Sequence, residues 1–80
     1  MAKLTSVKQQ KKLQILLRQL RLNAGLRQVD LAHLLRVPQS FVSKYESGER
    51  RLDILEIREV CKTFNITLQE LVEKLESALE

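Results

Sequence analysis

Only three residues of this 80-residue chain break helical backbone: Gly25, Pro38 and Gly48. The stretches between them are rich in Leu, Gln, Lys, Arg and Glu, which lose little conformational freedom on entering a helix. The chain therefore reads as all-α, cut into short pieces at those breakers. At this length residues 1–80 make a single domain. Such a domain buries roughly 60% of its unfolded surface, a marginal but sufficient core.

Apolar spacing places five helices. The first covers 7–23, capped by Ser6 or Thr5, with Leu13, Leu16, Leu17 and Leu20 on one stripe and Gly25 as its left-handed stop. Residues 1–6 are expected to form a flexible arm. The second covers 28–35, with Leu31, Ala32 and Leu35 on one side. Val37-Pro38 ends it, because proline pushes its predecessor out of the helical region. Pro38 suits the first turn of a third helix over 38–46, which Ser47-Gly48 closes. Asp53 caps a fourth over 54–64, whose apolar face is Ile54, Ile57, Val60, Cys61 and Phe64. Thr67 and Glu70 form a capping box that opens a fifth helix reaching Leu79, striped by Leu68, Leu71, Val72, Leu75 and Leu79.

Charge is divided along the chain. Residues 1–52 hold 11 Lys/Arg against 3 Asp/Glu, and residues 53–80 hold 3 against 7. A balance of +8 in front and −4 behind points to a polyanion partner on one face, the alternative being a solvated helical surface. Other classes are excluded. One cysteine, Cys61, permits no internal disulfide, and together with the single His33 it cannot close a zinc site. No apolar run is long enough to span a membrane, and the charged N-terminus lacks the apolar centre of a secretory signal. A cytoplasmic, nucleoid-associated protein is the expectation. No carboxylate pair, nucleophile–base pair or glycine-rich phosphate loop appears, so neither an enzyme nor a cofactor is expected. His33 reads as a surface residue and Cys61 as a small buried hydrophobe.

Two short helices joined by a tight turn inside a basic half suggest a helix-turn-helix. The segment Leu20-Arg21-x-x-x-Gly25-Leu26-x-Gln28-x-x-Leu31-Ala32 leads in. Val37-x-x-Ser40-x-Val42-Ser43-Lys44-x-Glu46-x-Gly48-Glu49-Arg50-Arg51-Leu52-Asp53 follows. Together they closely resemble the Cro/phage-repressor-like helix-turn-helix family, also called XRE. The resemblance covers about residues 17–71, leaving 72–80 as a C-terminal extension of the fifth helix. It implies a compact five-helix bundle of the lambda-repressor type, in agreement with the helix count from periodicity. It also implies that the third helix enters the DNA major groove while the second lies across it.

Helix geometry, at about 100° per residue, puts Gln39, Ser40, Ser43 and Lys44 on one polar face of the third helix. Val42, Tyr45 and Glu46 take the opposite side, with Phe41 at the border. Gln, Ser and Lys can all bond base edges, so these four are the expected base-reading residues. The resemblance assigns phosphate contacts to Gln28 at the start of the second helix and to Arg50 and Arg51 after Gly48. Arg27 replaces the usual Ser or Thr cap; this loses about 1 kcal/mol and adds a cation near the backbone. Arg36 stands where the family often has glycine. If positive φ is still required there, the cost is on the order of 1 kcal/mol; a different turn or a phosphate contact are the alternatives. Arg21 is implied to pair with Glu46, with the arginine shared with phosphate.

Leu75 and Leu79 either pack back onto the first helix or form a dimer seam. The implied function is a sequence-specific double-stranded DNA-binding transcriptional regulator, a repressor or autoregulator that occupies an operator as a homodimer and is regulated by concentration or by a partner protein. Phage repressors, restriction–modification controllers and antitoxins all fit. The rival is a protein–protein interaction module, an adaptor using the same bundle without base readout. The row Gln39, Ser40, Ser43, Lys44, backed by Arg50 and Arg51, favours DNA.

Overall fold

Three side chains start three of the helices in the same way. In the computed structural model, which describes residues 6–80, Ser6 accepts the Gln9 N–H at 3.1 Å while Gln9 Oε1 accepts the Ser6 N–H at 3.0 Å. This reciprocal box opens α1 (Val7–Asn23). Asp53 and Glu56 repeat it at α4 (Ile54–Thr63), and Thr67 and Glu70 at α5 (Leu68–Leu79). Each box satisfies two backbone donors that the first turn would otherwise leave unpaired. Between α1 and α4 lie α2 (Gln28–Leu35) and α3 (Gln39–Ser47). The remainder of the expected arm, residues 1–5, lies outside the described residues.

Three helices also end alike. Gly25, Arg36 and Asn65 take left-handed φ of 74°, 59° and 59° after α1, α2 and α4. The next residue is apolar each time, and its N–H turns back to a carbonyl five residues earlier. Leu26 bonds Arg21 O at 3.2 Å, Val37 bonds Ala32 O at 3.0 Å, and Ile66 bonds Cys61 O at 3.1 Å. This is the Schellman ending, and its apolar residue packs against the core in all three cases. Arg36 therefore keeps the left-handed turn in which glycine is common, at a steric cost that glycine would avoid.

The core is Leu17 of α1, Leu31 and Ala32 of α2, Val42 and Tyr45 of α3, Val60 and Cys61 of α4 with Phe64 after it, and Leu71 of α5. α1 packs on α3 and α5, α2 packs on α3 and α4, and α4 meets α5. The body measures 39 × 24 × 20 Å. Cys61 is fully buried, and burial pushes its thiol pKa up, away from reactivity. His33 is exposed.

Some expectations shift. Pro38 is the N-cap of α3, with extended ψ of 152°, so the helix runs one residue later, to Ser47. Phe64 caps α4 instead of belonging to it. Ile54 is 63% exposed, because α4 first meets the core one turn later, at Ile57. Val72 is also exposed, since its neighbour Leu71 takes the inward position and adjacent helical residues point about 100° apart. Leu75 and Leu79 are half-buried, and Lys12 Nζ of α1 donates to Ala78 O at 2.7 Å. The end of α5 is thus docked on α1, with a cation against the carbonyls of its last turn.

Candidate nucleic-acid interface

α3 divides into two faces by burial. Val42 and Tyr45 are fully inside, and Phe41 is half-buried with its ring edge-on to Tyr45, 6.1 Å between centroids at 74°. Gln39, Ser40 and Lys44 are exposed on the other side. Ser43 is half-buried, and its hydroxyl donates to Ser40 O at 3.3 Å, so it is the least available of the four. The anchoring side chains hold the helix by its inner face and leave three long or polar side chains free to meet a partner. The Tyr45 hydroxyl is buried without a hydrogen-bond partner among the described residues, and desolvation pushes its pKa up.

A buried polar network fixes α3 to the helices before it. Arg21 Nε and Nη2 donate to Glu46 Oε2 and Oε1 at 2.7 and 3.1 Å, and Nη1 donates to Leu26 O at 2.7 Å. The two side chains are only 6% and 4% exposed. Hydrogen bonding to Glu46 raises the Arg21 pKa, against the opposing effect of burial. Gln28 Nε2 adds a bond to Glu46 Oε1 at 3.0 Å. Glu46 thus ties α1, α2 and α3 together at one carboxylate. The Arg21–Glu46 pair is the one the resemblance implies, and all three guanidinium nitrogens are engaged within the protein. Gln28 stands at the first turn of α2, half-buried, with its amide turned to Glu46.

At the same helix end, Arg27 has no side-chain oxygen with which to cap α2, as its residue type dictates. Asp30 compensates in part by accepting the Arg27 N–H at 2.9 Å and both forks of its guanidinium at 2.9 and 3.0 Å. Those bonds hold the Asp30 carboxyl down at about 2. Arg27 remains 78% exposed, so its charge faces solvent at the α2 N-terminus.

Arg50 is placed differently from Arg51. Its guanidinium lies 4.3 Å over the Phe41 ring and binds Glu56 with both ends, at 2.8 and 3.2 Å. Hydrogen bonding raises the Arg50 pKa and, together with the Asp53 N–H, holds Glu56 below the usual carboxylate range. Arg50 thus forms a clamp that joins α3, through Phe41, to the first turn of α4, with its side chain 38% exposed. Sequence reasoning missed this clamp. Its one visible signal was the Asp53-x-x-Glu56 spacing, which places Glu56 at the third position of a capped helix. Arg51 is exposed.

A five-helix bundle that buries one side of a short third helix and exposes Gln39, Ser40 and Lys44 on the other has the build of a helix-turn-helix domain. The helix-turn-helix family profile matches residues 17–71, and the chain belongs to the XRE-type family of DNA-binding helix-turn-helix domains. This family is typically non-enzymatic. An XRE-family-like protein from Pseudomonas syringae pv. tomato str. DC3000 superposes with a TM-score of 0.81 at 41% identity, covering 88% of this chain and 85% of that one. A mutant of the restriction-modification controller protein C.Esp1396I superposes with a TM-score of 0.78 at 24% identity, covering 88% and 93%; this likeness is one of fold. No match is found among curated protein sequences. Among the described residues no helix is long and apolar enough to cross a membrane.

Proposed function

We propose that this chain is a sequence-specific double-stranded DNA-binding transcriptional regulator that represses or autoregulates by occupying an operator as a homodimer. The observation that carries the reading is the exposed row Gln39, Ser40 and Lys44 on a helix whose opposite side is locked into the core. In this reading α3 lies in the major groove. Gln39 bonds adenine, Lys44 reaches guanine acceptors, and Ser40 and the half-buried Ser43 contribute shorter contacts. The N-terminus of α2, with Gln28 and Arg27, and the exposed Arg51 grip phosphates on either side. Releasing counterions from those phosphates supplies affinity, and the α3 side chains supply discrimination.

Selection of bound duplexes from a random pool tests this. A defined consensus is expected, and failure to retain any duplex at low salt would remove the reading. Gln39→Ala is expected to cost about 1–3 kcal/mol at one operator position, as read by competition with single-base variants. Equal weakening on every sequence would take Gln39 out of base readout.

A further inference from the structure

α1 begins at Val7, ten residues ahead of the family match at residue 17. Those added turns lean on the loop that follows α3. Gln14 approaches Gly48 so closely that a Cβ built on Gly48 would stand 2.8 Å from its Nε2. Gly48 also takes φ of 90°, so backbone conformation and close contact both call for glycine there.

Between α1 and this loop runs a half-open groove of about 430 Å³, bordered by Ser6, Lys11, Gln14, Ser47, Gly48 and Arg51. Among the described residues no carboxylate lines it. Arg21, Arg27 and Arg50 are each neutralised by an acidic partner. Lys11 and Arg51 are both exposed, and neither forms an ion pair among the described residues. The helix ends at the groove nearly offset one another: the first turn of α1 brings a positive partial charge of about half a unit, the last turn of α3 a negative one. Two full side-chain charges therefore set the sign, and they favour an anion.

We propose that this groove seats a backbone phosphate of duplex DNA flanking the bases that α3 reads, held between Lys11 and Arg51. The inference rests on the DNA-binding reading above and extends the contact surface to a part of α1 that the family match does not include. Lys11 is a point charge on a flexible stem and suits an unoriented phosphate contact; Arg51 adds a planar fork. Ser6, whose hydroxyl accepts from Gln9, retains its own proton to donate.

The test measures operator affinity of the full chain against salt concentration for wild type, Lys11→Gln and Lys8→Gln. Lys8 is exposed on the same helix but does not border the groove. Each phosphate contact contributes a slope of about 0.9 in log affinity against log salt. Lys11→Gln removes one contact per copy, so the proposed homodimer is expected to lose about twice that slope and to weaken on operator and random duplex alike, while Lys8→Gln stays near wild type. Phosphate ethylation interference is expected to show one flanking phosphate in each half-site whose modification matters for wild type and not for Lys11→Gln. If wild type binds its operator and Lys11→Gln keeps the full slope, the groove assignment is overturned and the DNA reading stands. If wild type binds no duplex at all, both fall.

Discussion

The carboxylate of Glu46 accepts from Arg21 and Gln28 at once, and the Glu46 and Arg21 side chains are almost wholly buried. Removing it strands a buried guanidinium, so Glu46→Ala is expected to cost about 3–5 kcal/mol of unfolding free energy in urea denaturation. Glu46→Gln should cost less, because the amide oxygen still accepts from Arg21. At the surface, Asp30 behaves differently. Its folded pKa of about 2 lies below the unfolded value near 3.9, so its ionised form stabilises the fold above pH 4, and that contribution is lost as pH falls toward 2. A carboxyl NMR titration is expected to give a midpoint near 2, moving up toward the ordinary range in Arg27→Ala. Residue types and helical angle alone were enough to separate Gln39, Ser40 and Lys44 from Val42 and Tyr45. They were not enough for Arg50, because its partner Glu56 sits across a turn whose path the sequence does not state.

Helices in this protein are delimited by local chemistry, and most of it was readable. Ser6, Asp53 and Thr67 are caps by residue type, and Gly25 and Gly48 are stops. Arg36 and Asn65 take the same left-handed conformation without being glycine. What enforces it is the apolar residue that follows, Val37 or Ile66, which gains burial only if the chain turns back. Arg36→Gly is accordingly expected to stabilise the protein by about 1 kcal/mol, since the left-handed penalty is relieved and partly offset by glycine's greater freedom when unfolded. A rise in urea midpoint with an unchanged slope checks this. A fall would mean that the Arg36 side chain contributes more than its backbone costs.

For the whole molecule, dimensions bear on the proposed homodimer. Helix-turn-helix pairs read half-sites about 34 Å apart, one turn of DNA. Bodies 39 Å long and 24 Å wide can touch at that separation. The end of α5 is committed to α1 through Lys12, while Val72 of α5 and Ile54 and Leu55 of α4 are among the large apolar side chains that remain exposed. The selected operators are expected to be inverted repeats, and five base pairs added between half-sites should abolish tight binding by turning one copy to the far side of the duplex. Gel-shift affinity on the two spacings reads the outcome.

Sequence alone determined how many helices form, where most begin and end, and which face of each is apolar, because these depend on neighbours within about four residues. Its basic front half and polar third helix also pointed to a polyanion. Tertiary structure decided how the cations are partnered: Arg21 and Arg50 pair with Glu46 and Glu56, whereas Lys11 and Arg51 border one groove. The physical reason is that a charge's role depends on which opposite charge lies within a few ångströms and on how much water is between them, and both are set by packing between segments far apart in the chain.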